Sequence, residues 1–101
     1  MELEKWQKLS IFEQLGNIGS EVSRAKYWED KGEIDRRNSS LERSFDLIDL
    51  TLADKKNIWR SGEVGRLKEV LGDIYSASGN YLVALSDLEK MFVEYAVRAR
   101  K

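Results

Sequence analysis

Four carboxylates have the residue type and spacing that could hold a metal ion. Asp46 and Asp49 share one face of a predicted helix, and Glu69 and Asp73 lie one turn apart on the next helix. Mg2+ is bound by hard oxygen ligands and keeps several water molecules, so carboxylates on facing helices could hold it. However, charged residues make up 35% of the chain, and such spacings then arise readily. The simpler interpretation is that these carboxylates are solvated or paired with nearby arginines.

Histidine and cysteine are both absent from the 101 residues. Their absence excludes histidine-based acid–base catalysis, thiol nucleophiles, disulfides and the usual zinc sites. The 17 basic and 18 acidic residues give a formal net charge of -1, so there is no overall attraction for nucleic acid or for an anionic membrane. We therefore expect a protein that is not an enzyme, with no catalytic residues, no metal and no cofactor.

A basic segment surrounds a tryptophan in a predicted loop over residues 54–62. The residues that could contact a phosphate or a base are Lys55, Lys56, Trp59, Arg60 and, on the following helix, Arg66. Such a cluster can follow a nucleic-acid backbone while the aromatic ring stacks on a base, so nucleotide or nucleic-acid binding is the alternative function. The favoured interpretation needs no ligand. The basic side chains then neutralise the end of the preceding helix, and Ile58 and Trp59 cap the core.

A polar stripe runs along the first predicted helix and consists of Asn17, Glu21, Arg24 and Trp28. Glu21 and Arg24 have the i, i+3 spacing of a helical ion pair. One interpretation is a solvent-facing ion pair beside a tryptophan that covers the end of the bundle. The other is a surface that faces a partner, with Arg24 and Trp28 in it, because Trp and Arg are enriched at interface hot spots.

A repeated motif organises the helices. The pattern S-x-L-E-[RK]-x-F occurs over residues 39–45 and again over residues 86–92, at an offset of 47 residues. The repeat predicts two similar helical hairpins. The fold class is therefore all-α, an antiparallel up-down four-helix bundle, in a single domain over residues 1–101. Phe45 and Phe92 should occupy equivalent core positions in the two hairpins.

The predicted helices span about residues 11–31, 33–53, 63–78 and 86–100. Residues 1–9 form a polar lead-in whose Trp6 and Leu9 fold back onto the bundle. Ser10 and Glu13 form a capping box at the start of the first helix, and Gly32 favours a left-handed cap at its end. The third helix should end near Ser78 and Gly79. The start of the fourth helix stays open between Tyr81 and Ser86.

Small residues interrupt the first helix at Gly16, Gly19, Ser20 and Ser23. The favoured interpretation is that a neighbouring helix approaches closely at this strip. The alternative is a backbone groove that accepts a ligand or a partner.

Three family resemblances accompany these patterns. Spacing similar to the tetratricopeptide repeat is found at Leu71, Gly72, Tyr75, Gly79, Tyr81, Ala84, Leu85 and Leu88. It covers a small part of the chain and implies helical-hairpin packing. The segment 17–22, with Arg24, Ala25 and Trp28, resembles a group of small prokaryotic all-helical proteins without assigned function, which implies no activity.

The third resemblance is to HEPN four-helix domains. Their ribonucleases use an Arg-x4-6-His motif, so without histidine that chemistry is not implied. All-α nucleotide pyrophosphatases hold Mg2+ with acidic residues on facing helices, as the four carboxylates of this chain could. However, the E-x-x-E and E-x-x-D pattern of that family is absent from this sequence.

Surplus apolar residues predict self-association. The core stripes are Ile34, Leu41, Phe45, Ile48 and Leu52 on the second helix, and Leu88, Phe92, Tyr95 and Ala99 on the fourth. Val93 and Val97 lie roughly 100° from the fourth-helix stripe, and Leu47 and Leu50 widen the second. We predict a non-enzymatic protein–protein interaction module that forms a symmetric homodimer through the outer faces of these two helices.

The compartment is predicted only by default. No apolar run approaches 18 residues, and Met1 is followed by Glu2, Glu4 and Lys5 rather than by a signal peptide. We expect a cytoplasmic protein without a membrane partner.

Overall fold

The computed structural model describes residues 2–76 and 84–99, and within these ranges it contains helices and no strands. The α-helices are α1 Leu3–Gln7, α2 Ile11–Asp30, α3 Ile34–Ala53, α4 Ser61–Ser76 and α5 Leu85–Ala99, and a 3-10 helix, Lys55–Arg60, joins α3 to α4. The predicted third-helix end at Ser78, the turn glycine Gly79 and the alternative start at Tyr81 lie outside the described residues, as do Arg100 and the side chain of Ala99.

Local signals fix the first hairpin. The Ser10 hydroxyl accepts a hydrogen bond from the Glu13 amide at 3.1 Å, and the Glu13 carboxylate accepts one from the Ser10 amide at 3.0 Å. This confirms the predicted capping box. At the other end of α2, Gly32 has a φ of 73°, a backbone conformation that glycine adopts without steric cost. The chain therefore reverses there, and α3 runs back against α2.

The fold is an all-α, antiparallel four-helix bundle built from two helical hairpins, as predicted. The helix α2 packs most extensively, against α3 on one side and α5 on the other, and α3 also packs against α4. Between their described residues, α4 and α5 pack less closely than the other three neighbouring pairs. A single apolar core fills the centre, and its largest fully buried side chains include Trp6, Leu15, Ile18, Leu41, Ile48 and Leu71.

The face that α3 buries differs from its predicted core stripe. Ile34 and Leu52 were placed in the stripe but are exposed, whereas Ser44 and Thr51 are fully buried. Each of these hydroxyls donates a hydrogen bond within its own helix, Ser44 to the Leu41 carbonyl at 2.5 Å and Thr51 to the Leu47 carbonyl at 2.8 Å. Small satisfied hydroxyls can therefore line the core without a desolvation cost.

The repeated phenylalanines are not equivalently buried, contrary to the prediction. Phe92 is almost completely buried, where α5 lies against α2. Phe45 is half-buried and makes an edge contact with Tyr75 on α4, with 5.7 Å between the ring centroids. The leucines of the motif, Leu41 and Leu88, are both buried. The leucine of the motif is therefore a core residue in both copies, whereas the phenylalanine is buried to a different extent in each.

Candidate functional site

The face shared by α2 and α5 carries an apolar ridge beside a groove. Val93 and Val97 lie one turn apart on α5 and are 61% and 49% exposed. Beside them runs a groove of about 300 Å³, whose lining residues are Gly16, Gly19, Ser20, Ser23, Glu89, Phe92 and Val93. Since Val93 belongs to both features, the ridge forms one wall of the groove. We call this surface the α2/α5 face.

Two glycines of α2 have different roles at the α2/α5 face. A methyl group at Gly19 would overlap Phe92, so this glycine permits the close approach of α5. That close approach is the favoured interpretation of the small-residue strip. At Gly16 nothing lies within 4 Å of the position that a methyl group would take, so its backbone is open to the groove. The Ser20 hydroxyl donates to the Gly16 carbonyl at 3.2 Å, a bond within its own helix.

The structure does not bring Leu47 and Leu50 together with the two valines. Both leucines are half-buried and pack against the core, and with Asp46 and Asp49 they line a separate shallow cavity on α3. Because α2 lies between α3 and α5, the outer faces of those two helices do not form one continuous surface.

The predicted ion pair on α2 is present and includes a third residue. Glu21 is buried, and its carboxylate accepts from Arg24 and, at 2.8 Å, from Arg43 on α3. Glu21 therefore links two helices rather than facing solvent. Trp28 is half-buried, and the Arg36 guanidinium lies 4.6 Å from the centroid of its ring. Arg24 remains largely exposed, but the Arg24–Glu21 pair belongs to the α2–α3 contact.

The tip of the 3-10 helix is exposed, contrary to the favoured interpretation. Ile58 and Trp59 were expected to cap the core, but they are 69% and 94% exposed. The 3-10 geometry accounts for the difference. Asp54 accepts a hydrogen bond from the Lys56 amide at 3.2 Å at the start, and Ser61 donates to the Ile58 carbonyl at 2.9 Å at the end. These bonds turn the segment so that Asn57 points inward and the two large apolar side chains point outward.

Two of the four basic side chains near the Trp59 tip already have partners. Lys56 contacts Asp54 and donates to the Gln7 carbonyl at 2.9 Å, and Arg60 pairs with Glu63 at 3.3 Å. Lys55 and Arg66 make no ion pair with any residue that the structure describes. The candidate nucleic-acid surface therefore keeps two available cations and one exposed indole.

A buried polar cluster joins α1, α2, α3 and the 3-10 helix. Gln14 donates to the Trp6 carbonyl and to Asp54, each at 2.9 Å, and accepts from Asn57 at 2.8 Å. The Trp6 indole donates to the Thr51 hydroxyl at 3.0 Å. Asn57 also donates to the Thr51 carbonyl at 2.9 Å. No buried side-chain polar atom in the described part lacks a partner, so we interpret this cluster as structural.

Asp54 is the negatively charged residue of this buried cluster. Burial raises the pKa of the Asp54 carboxyl, but hydrogen bonds from Lys56 and Gln14 outweigh burial and hold the pKa below its ordinary value. This cluster could not be predicted from the sequence pattern because its members are polar and lie far apart in the chain. One signal in the sequence indicates it: the polar Gln14 stands next to the core residue Leu15 on α2, and both side chains are buried.

A second groove lies between α4 and α5, where the bundle is least closely packed. It has a volume of about 200 Å³, and its lining residues are Glu63, Arg66, Leu67, Val70, Leu88, Met91 and Tyr95. At one end, Tyr95 donates a hydrogen bond to Glu63 at 2.7 Å. The groove is apolar along its length and polar at that end. We call it the α4/α5 groove.

The four carboxylates of the sequence analysis do not form a metal site. In the described part of the chain, no three His, Cys, Asp or Glu side chains come close enough to share a metal ion. Asp49 instead pairs with Lys68 on α4 at 2.6 Å. Within the same ranges, no helix has the length and apolar content needed to cross a bilayer.

Comparison with protein-family models, with curated proteins and with solved structures gives no match to the chain. The resemblances to tetratricopeptide repeats and to small prokaryotic helical proteins therefore stay predictions. Any function has to be argued from the surfaces described above.

Proposed function

We propose that the protein is a non-enzymatic interaction module of the cytoplasm that associates with a second copy of itself through the α2/α5 face. The observation that carries this proposal is the exposure of Val93 and Val97 beside a groove of small residues. Large apolar side chains that stay exposed next to one another are typical of interaction sites.

The α2/α5 face is self-complementary. It carries a ridge and a groove side by side, so a twofold axis can place the Val93–Val97 ridge of each copy in the groove of the other. Gly16 makes the groove accessible because it has no side chain to obstruct it. Both copies then bury the same apolar surface, and Glu89 lies at the wall of each groove.

Light scattering at tens of micromolar tests the proposal. We expect a mass twice the 11.7 kDa of one chain. Val93→Glu combined with Val97→Lys should give a monomer with an unchanged helical circular dichroism signal. Gly16→Leu should do the same, because its side chain would enter the groove from a position with free space.

A matched control uses the other exposed apolar pair. Ile58→Glu combined with Trp59→Lys changes the same number of exposed residues in the same way, away from the α2/α5 face. This variant should remain dimeric. A monomeric wild-type protein, or equal dissociation of the control, would reject the proposal.

A second candidate is single-stranded nucleic-acid binding at the Trp59 tip. The specific support is an exposed indole next to Lys55, with Arg66 also available. Two cations that each neutralise one phosphate predict a slope of log K against log salt of about -1.4 on single strands. Lys55→Gln with Trp59→Ala should abolish the binding. Binding that does not respond to salt would reject this candidate.

A further inference from the structure

We propose that the α4/α5 groove is a binding site for a small amphiphile with an aliphatic chain and one anionic head group, with a monocarboxylate as the simplest example. This inference is independent of the α2/α5 face. It rests on the shape of the groove, on the side chains that line it and on Arg66, a lining cation that makes no ion pair with a described residue.

The aliphatic part of the ligand follows from the lining. Leu67, Val70, Leu88 and Met91 present only carbon and sulfur atoms, and the first three are almost completely buried. The volume of about 200 Å³ is below the range of roughly 300–1,000 Å³ that is typical of sites for drug-sized molecules. It suits roughly six to eight methylene groups, since each is about as large as a water molecule.

The anionic head group follows from the charges. Glu63 and Arg66 stand three residues apart on α4, a spacing that often gives an ion pair. In this protein, both Glu63 oxygens are used elsewhere: one accepts from Tyr95 at 2.7 Å and the other from Arg60 at 3.3 Å. Arg66 lines the groove, is exposed, and makes no ion pair with a described residue. Among the described residues, the Arg66 guanidinium therefore offers a positive charge without an ion-pair partner beside an apolar interior.

A carboxylate beside Arg66 would complete this arrangement. The guanidinium presents parallel N–H donors that match the two oxygens of a carboxylate. The attached chain would then lie along Leu67, Val70 and Met91. Neither an aliphatic cation nor an uncharged chain would gain this contact, so the groove should select for the head group as well as for the chain.

A chain-length series tests the proposal with the 101-residue protein. Hexanoate, octanoate, decanoate and dodecanoate are titrated below their micelle concentrations by calorimetry. Each added pair of methylene groups should raise the affinity about tenfold while it is buried, since a buried methylene contributes about 0.8 kcal/mol. The gain should stop near eight carbons, where the groove is full. Absence of saturable binding by any member of the series would overturn the proposal.

Variants separate the head group from the chain. Arg66→Gln should weaken octanoate about fivefold and leave octanol unchanged, because only the carboxylate uses the guanidinium. Arg66→Lys should restore part of the loss. Lys55→Gln, which removes an exposed cation that does not line the groove, should change neither ligand. Binding that ignores Arg66 and the head group would overturn the assignment of an anion.

Filling the groove provides an independent test. Val70→Phe should abolish binding of octanoate and octanol alike, with circular dichroism to verify folding. If Val70→Phe does not fold, Arg66→Gln still tests the proposal, because it replaces an exposed side chain. If amide shifts along the groove instead depend on protein concentration without any ligand, a second copy occupies the groove and the proposal is wrong.

Discussion

Gly19 on α2 lies directly against Phe92 on α5. A methyl group at Gly19 would lie 2.5 Å from the Cβ atom of Phe92 and 2.7 Å from its Cγ atom. Such distances require one of the two helices to move, and the phenylalanine is almost completely buried. The contact therefore sets the separation of α2 and α5, and it lies within the α2/α5 face.

Gly19→Ala is expected to destabilise the protein by about 1–3 kcal/mol, the usual range for overpacking in a core. The matched control is Gly16→Ala on the same helix, where the added methyl group meets nothing within 4 Å. There the better helix propensity of alanine should stabilise the protein by up to about 1 kcal/mol. Urea unfolding measures both. Equal effects at the two positions would show that the Phe92 contact does not control the helix spacing.

The two repeated phenylalanines should differ in their contribution to stability. Phe92→Ala should cost about 3–5 kcal/mol, because it removes a fully enclosed ring. Phe45→Ala should cost about 1–1.5 kcal/mol, since the half-buried ring has less apolar surface to lose. Chemical denaturation of the two variants decides the matter. Similar losses above 3 kcal/mol would mean that the two positions are equivalent after all.

Local signals explain how much of the fold could be predicted from the sequence. The capping box at Ser10 and Glu13 and the turn at Gly32 depend on residues within a few positions of one another. They also combine with a helical apolar period, so the hairpin of α2 and α3 follows from the sequence. The exposure of Val93 and Val97 follows from the same period on α5.

The surfaces could be predicted less well because they depend on contacts between distant residues. Whether Trp59 points inward depends on Asn57, which is held by Gln14 more than 40 positions earlier in the chain. Similarly, Arg66 makes no ion pair with a described residue because Arg60 and Tyr95 occupy the two Glu63 oxygens. Neither fact is visible from spacing on a single helix.

The hydroxyl of Thr51 should contribute more to the free energy of unfolding than its methyl group does. Thr51→Val keeps the shape of the side chain but leaves the buried Trp6 indole without an acceptor, at a cost of about 1–3 kcal/mol. Thr51→Ser keeps the acceptor and loses one buried methyl group, at a cost of about 0.8 kcal/mol. We expect the valine variant to be the less stable of the two in urea.

A double-mutant cycle isolates that hydrogen bond. In a Trp6→Phe background, the hydroxyl no longer receives the indole proton, so Thr51→Val should cost less than it does in the wild-type protein. An unchanged cost in that background would show that the Trp6–Thr51 bond at 3.0 Å contributes nothing measurable.

Asp54 should make stability depend on pH in the acid range. Burial raises the pKa of this carboxyl, but the Lys56 and Gln14 hydrogen bonds more than offset burial, so the folded pKa lies below the ordinary value of 3.8. The folded state therefore binds its proton at lower pH than the unfolded state does. The stability that Asp54 contributes is complete above the unfolded pKa and is lost as pH falls through the folded pKa.

Replacement of Lys56, which pairs with Asp54, should weaken that dependence. In Lys56→Met the largest of the interactions that lower the pKa of Asp54 is gone while burial remains, so the protein should be less stable at neutral pH and lose less stability on acidification. Lys55→Met is the matched control, because Lys55 does not contact Asp54, and it should follow the wild-type curve. Urea unfolding between about pH 2 and pH 7 gives the comparison. Parallel curves for Lys56→Met and the wild-type protein would show that Asp54 does not draw its stabilisation from Lys56.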